Sequence, residues 1–182
     1  SGDVFGEYGV AIDGNTIVVG TNRESSNQST ITNGTTASSD NSALNAGAAY
    51  VFVRSGTTWS QQAYLKAPNS ETNDSFAYSL AVSGDAIVVG AYSEDSNQTT
   101  ITSGTTASTD NSVSGSGAAY VFVRSGTTWS QQAYLKAPNA GASDQFGRSD
   151  YISGDIIVVG ADSEDSNQTT VTNGTTTSSD NS

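Results

Sequence analysis

Residues 47–69 read GAAYVFVRSGTTWSQQAYLKAPN, and the same segment returns without a change at 117–139. The tetrad IVVG stands at 17–20, 87–90 and 157–160. Both recurrences set a period of 70 residues, so the chain is a tandem array of about 2.6 copies. Residues 1–70 form repeat 1, 71–140 repeat 2 and 141–182 a partial repeat 3. The quoted segment also shows what a repeat is made of. From Ala118 to Arg124, Tyr120 and Phe122 share one face while Ala119, Val121 and Val123 share the other. Both faces are apolar, which predicts a strand lying between two packed sheets. Ser125-Gly126 turns the chain into a further strand from Thr128 to Lys136, and Pro138 ends it.

Working upstream, Ser79 to Val82 and Ala86 to Gly90 read as two strands around the tight turn Ser83-Gly84-Asp85. Asp13-Gly14-Asn15 and Ser153-Gly154-Asp155 take the same place in the other copies. No segment reads as a helix. The expected fold is all-β, with tandem four-stranded antiparallel blades of the β-propeller type. The array is expected to be an incomplete propeller or an assembling repeat.

Strand four carries Trp59 and Trp129, which alternate with Ala and Leu and are expected in the core. Tyr64 and Tyr134 then point to the opposite side with Lys66 and Lys136, towards a neighbouring blade.

Composition narrows the function classes. The 182 residues include 18 acidic and 6 basic side chains, for a net charge of −12. That charge argues against a nucleic-acid or anionic-membrane partner. With no Cys and no His, the chain has no Cys/His zinc site, thiol nucleophile or imidazole base. No apolar run approaches the ~18 residues of a membrane span. Ile, Leu, Val and Phe make up only 32 residues, which by average alone falls in the disordered range. Their clustering in the strands overrides the average. The chain opens with Ser1, and we expect it to be a mature product without a signal peptide or an excised part of a longer array.

Phe5-Gly6 and Phe146-Gly147, followed by Val-Gly-Ala at 89–91 and 159–161, resemble the FG-GAP repeats of the integrin alpha-chain propeller. The Gly-Ala-Ala-Tyr-Val-Phe and Trp-Ser-Gln-Gln-Ala-Tyr-Leu-Lys segments are closer still to bacterial surface-protein versions. The resemblance implies propeller blades and an extracellular, adhesive setting. Departures are Phe76-Ala77, Gly20-Thr21 and one extra residue between Phe5 and Ala11. The Asp-rich calcium loop found between the first two strands of many integrin repeats is replaced here by the short Gly turns, so that site does not carry over.

The extra length of each repeat lies between strands two and three, at 21–46, 91–116 and from 161 onward. A loop of about 26 residues calls for a function or for disorder. Asn33-Gly34, Ser103-Gly104 and Asn173-Gly174 sit between Thr-rich arms, which predicts a projecting β-hairpin finger from each blade. Pairing around those turns places Asn27 opposite Asp40, Asn97 opposite Asp110 and Asn167 opposite Asp180. With Glu94, Asp95 and Asp165 beside them, these oxygens form candidate Ca²⁺ sites. The competing reading is a solvated loop base in which Asn and Asp cap turns. Sequons at Asn27, Asn33, Asn73, Asn97, Asn167 and Asn173 matter only in a host that glycosylates them.

Near-identical copies argue against catalysis, because an active site is assembled once from unlike residues. The function expected is a non-enzymatic extracellular structural or adhesion module of a surface protein or fibre. A glycan-binding propeller is the alternative. The partners expected are other copies, through strand edges and fingers, and a glycan or protein receptor.

Overall fold

The computed structural model describes residues 2–170 and Gly174. Among them are twelve strands and no helix. Blade 1 comprises β1 (Val10–Asp13), β2 (Thr16–Thr21), β3 (Thr32–Asn33), β4 (Ala48–Ser55) and β5 (Thr58–Leu65), in the sheet order β1-β2-β4-β5-β3. Blade 2 repeats it with β6 (Leu80–Ser83), β7 (Ala86–Ala91), β8 (Thr102–Ser103), β9 (Ala118–Ser125) and β10 (Thr128–Leu135), in the order β6-β7-β9-β10-β8. The third repeat contributes the pair β11 (Phe146–Ser153) and β12 (Ile156–Ala161). Every pairing between these strands is antiparallel. No ring is closed. In the two-residue turn from β1 to β2, Gly14 has φ 53° and Asn15 stays at negative φ, as a tight turn with Gly in first place requires.

The blades stack face to face, and the principal core lies between them. Val18, Ala49, Val51, Ala63 and Leu65 of blade 1 meet Phe76, Leu80, Val82, Ile87, Val89, Tyr120 and Phe122 of blade 2. The strand expected between packed sheets is there: β9 uses Tyr120 and Phe122 against blade 1, and Ala119 against repeat 3. At each junction the Phe-Gly or Phe-Ala pair of one blade settles on the backbone of the blade before it. Phe76 bridges Gly47 and Phe146 bridges Gly117, both in parallel. A Cβ added to Gly20 or Gly90 would run into the backbone carbonyl of Ala77 or Gly147, so glycine here lets two blades touch.

Strict alternation along strand four mispredicts its faces. The β4–β5 register slips by one residue, pairing Val51 with Ala63 but Phe52 with Gln61, and leaves Gln62 as a bulge. Gln132 is the bulge of β10. One extra residue exchanges the faces beyond it. Trp59 therefore shares a side with Tyr64 and Lys66, while Ala63 and Leu65 turn to the other. The edge-on pair Tyr50–Tyr64, with centroids 5.1 Å apart, and Arg54 lying 5.6 Å over Trp59 report the same side.

The long loop is the second departure. Its base closes as the pairing arithmetic required, but its tip does not form a projecting hairpin. β3 and β8 lie down as fifth strands on the outer edges of their own blades, pairing Thr32 with Tyr64 and Thr102 with Tyr134. The Gly34 and Gly104 amides donate to the Gln62 and Gln132 carbonyls, both at 2.7 Å. Gln61 and Gln131 side chains add bonds to Gly34 and Thr36, and to Gly104 and Thr106. The open edge of strand four offers unpaired backbone groups, which a polar hairpin in water leaves unsatisfied. The arm pairs with that edge instead of with itself.

Candidate functional site

Where the loop leaves β2, each blade holds a buried ion pair. In blade 2, Lys136 Nζ donates to Glu94 Oε2 at 2.9 Å, to Ser116 Oγ at 2.7 Å and to the Gly117 carbonyl at 2.7 Å. Glu94 Oε1 accepts from Tyr134 at 2.9 Å and from Asn69 Nδ2 at 3.0 Å. Asn69 Oδ1 in turn accepts from the Tyr120 hydroxyl at 2.7 Å. Lys136 and Glu94 are both buried. Blade 1 repeats the arrangement, with Lys66 donating to Glu24 Oε2 at 3.1 Å and to the Ser26 and Gly47 carbonyls. There Tyr64 and Ser26 hydroxyls share a bond of 2.9 Å. Burial pushes the Tyr64 and Tyr134 hydroxyls well above the ordinary phenol range. It pulls Lys66 and Lys136 down, against the opposing pull of Glu24 and Glu94. An ammonium with three acceptors and a carboxylate with three or more donors meet the condition under which a buried pair is tolerable.

This network is also a seam. Asn69 follows strand four of blade 1, yet it completes the network of blade 2. Asn139 does the same for repeat 3, donating to Glu164 Oε1 at 2.8 Å. A second tie lies further out. The Asn33 side chain accepts from the Trp129 amide at 2.7 Å and donates to the Trp129 carbonyl at 3.2 Å. The bulged Gln62 accepts from the Trp129 indole at 2.8 Å and from Arg124, whose guanidinium lies 5.1 Å from the Trp129 ring. Loop and bulge of one blade therefore fasten strand four of the next.

The nine candidate calcium residues are distributed as follows. Asp40 Oδ1 accepts from the amides of Asn27 and Ser42 and from the Ser42 hydroxyl, all within 3.0 Å. Asp110 Oδ1 does the same with Asn97 and Ser112, within 3.1 Å. These bonds hold both carboxyls below their ordinary range. Asp95 Oδ1 accepts from the Gly115 amide at 2.6 Å, and Glu94 is spent in the seam. Asp165 and Asn167 lie exposed at the start of the third loop, and Asp180 falls outside the described residues. The pairs 27/40 and 97/110 thus come together as expected, but through the asparagine backbone. Among the described residues no three acidic groups converge. This donor set does not fit the six to eight oxygens that Ca²⁺ takes. The Lys–Glu pairs and the two Asn links went unread in sequence. The bulge conceals the first by reversing the faces, though Lys–Glu at a fixed offset of 42 residues in two copies was a visible signal.

An uninterrupted stack of antiparallel blades, locked by a repeated polar seam and lacking a convergent catalytic constellation among the described residues, defines a propeller-type repeat array. The FG-GAP repeat family model matches residues 59–122 and 129–175, and the chain belongs to that family. FG-GAP repeats are typical of extracellular adhesion-type modules and are generally non-enzymatic. No curated protein matches the chain.

Proposed function

We propose that this chain is a stretch of an extracellular structural and adhesive array in which stacked blades form a stiff spine and the plastered loops form its contact rim. The observation that carries the reading is the seam: the link from Asn69 to Glu94 recurs from Asn139 to Glu164, so each blade is built to hold the next. The rim supports the adhesive half, since residues 97–106 are almost wholly hydroxyl, amide and glycine groups exposed to water. The glycan-binding alternative finds no platform at Trp129, Tyr64 and Tyr134, which are buried with their polar atoms already bonded, and is left with the exposed Trp59.

Beads coated with the chain test this under flow over cells and over protein- and glycan-coated surfaces. We expect retention that is lost when residues 98–107 are exchanged for a Gly/Ser segment, with the circular dichroism of the strands kept. Retention indifferent to the exchange, or absent on every surface, overturns the adhesive reading. Uniform dependence on one sugar class transfers the function to the glycan-binding alternative.

A further inference from the structure

The rim loop reads NQSTITNGTT at 27–36, NQTTITSGTT at 97–106 and NQTTVTNGTT at 167–176. Copies otherwise close to identical thus differ at the turn, which is Asn33-Gly34 in the first and Ser103-Gly104 in the second. Asn-Gly carries a reaction of its own. The glycine nitrogen has no Cβ beside it and can reach the side-chain amide before it, one reason asparagine is thermolabile.

In blade 1 two sets of bonds hold this reaction off. The Asn33 carboxamide is fixed at both ends on blade 2, accepting from the Trp129 amide at 2.7 Å and donating to the Trp129 carbonyl at 3.2 Å. The Gly34 amide donates to the Gln62 carbonyl at 2.7 Å, and the Gln61 side chain holds the Gly34 and Thr36 carbonyls at 3.3 and 3.2 Å. The arm itself is slight. β3 is two residues long and lies at the edge of its sheet, and Asn33 is exposed to water. Beside Gly34 the space is open, with no atom beyond its chain neighbours within 4 Å of where a Cβ would stand. A short edge segment of this kind opens locally at far lower free energy than the blade unfolds.

We infer that Asn33 is a deamidation site gated by the lifting of its own arm, and that its conversion makes the opening of the rim between blades 1 and 2 permanent. With the arm lifted, the Gly34 nitrogen gives its proton to solvent base and attacks Asn33 Cγ. The Cγ–Nδ2 bond breaks, Nδ2 takes up a proton and leaves as ammonia, and a succinimide ring joins the two residues. Water, the one co-reactant, adds to either ring carbonyl and opens it to aspartate or isoaspartate. Neither product restores the tie. Aspartate sets an oxygen where Nδ2–H met the Trp129 carbonyl, so two acceptors face each other. Isoaspartate also adds a methylene to the backbone, so the Asn33–Ala63 pairing and the Gly34–Gln62 bond cannot both re-form. Ser103 has no amide to lose, and its arm, held by the same bond from Gly104 to Gln132, lifts and returns unchanged. The inference concerns the durability of the rim and stands whether or not the rim is adhesive.

The chain, its Gln61→Ala variant and a synthetic peptide of residues 27–40 are aged together in mildly alkaline buffer. Peptide mapping by mass spectrometry then follows the exchange of NH₂ for OH at Asn33, separately from Asn173. Conversion in the folded chain is expected to be slower than in the peptide by about tenfold or more, the factor set by an opening free energy of about 1.4 kcal/mol. Gln61→Ala, which frees the arm, is expected to convert faster than the unaltered chain. Asn33→Asp, made in a Trp59→Phe background so that Trp129 alone reports, is expected to shift the emission to the red with the circular dichroism of the strands kept. Equal rates in chain and peptide overturn the gating. An Asn33 still intact in Gln61→Ala after the peptide has fully converted overturns the site, and unchanged Trp129 emission in Asn33→Asp overturns the consequence for the rim. None of these results would touch the bead assay.

Discussion

Lys136 is a charged side chain in a place where charge is costly, and its burial makes the seam sensitive to loss of one partner. Removing either member of a buried pair costs about 3–5 kcal/mol, because the other is left uncompensated, whereas replacing both is far milder. We expect Glu94→Gln and Lys136→Met each to lower stability to guanidinium by that order. The double variant Glu94→Leu/Lys136→Met should recover much of the loss. Equal and additive losses would show that the two side chains act independently.

A second residue titrates where its counterpart is apolar. Asp150 occupies the ladder position of Leu80, and neither carboxylate oxygen sits in good hydrogen-bond geometry. Burial raises its pKa from the ordinary 3.8 to about 7. The folded chain then binds more protons than the unfolded one between those values. Its contribution to stability is intact below pH 4, falls as the pH rises through the window, and is lost above 7. Asp74, pushed up to about 8 by burial, acts with the same sign. We expect Asp150→Leu to stabilise the junction of blade 2 with repeat 3 by about 2 kcal/mol at pH 8 and to change it little at pH 4. Melting curves at the two pH values check this, and an equal gain at both would remove ionisation as the cause.

At the scale of elements, one residue of bulge governs two faces. Deleting Gln62 leaves Phe52 opposite Gln61 and Val51 opposite Ala63, so it removes the bulge while Trp59, Tyr64 and Lys66 keep one side and Ala63 and Leu65 the other. The deletion is therefore expected to keep blade 1 folded, losing the Gln62 carbonyl that holds the Gly34 amide and the side-chain acceptor for Trp129 and Arg124. Gln62→Ala keeps the register and forfeits the acceptor shared by the Trp129 indole and Arg124, a loss of about 1 kcal/mol for each bond. Urea titrations followed by tryptophan fluorescence compare the two variants, and a deletion that abolishes cooperative unfolding would show that the bulge itself is required for the blade. The loop obeys the same edge logic. The chain bends at Asn33-Gly34 where a hairpin turn was expected, but the unpaired edge of β5 captured the arm that the hairpin would have used.

For the whole molecule, stacking leaves apolar contact between sheets and polar groups at the rim. The acidic residues are dispersed along the loops, where Asp40 and Asp110 gather backbone amides. We accordingly expect EDTA to leave the melting temperature unmoved and Ca²⁺ to give no binding heat at the loop bases. A melting temperature that falls with EDTA and returns with Ca²⁺ would restore the metal to Asp95, Asn97, Asp110 and their counterparts. Moderate salt should raise stability by screening a net charge of −12.

Repeat period, strand positions, hairpin turns and blade class were legible in the amino-acid sequence, because each depends on local patterning: period-two alternation, glycine at turns, and self-similarity at 70 residues. The pairing of Asn27 with Asp40 was legible too, as symmetry about a turn. What only the tertiary structure decided were the facts that depend on a neighbour. The Gln62 bulge is chosen by the register against β4. The resting place of Thr32 and Asn33 is chosen by the free edge of β5. The different fates of Trp59 and Trp129, in identical stretches of chain, are chosen by whether a blade stands in front of them. Local pattern specifies an element, but burial is a property of what packs against it, and that is written in a different part of the chain.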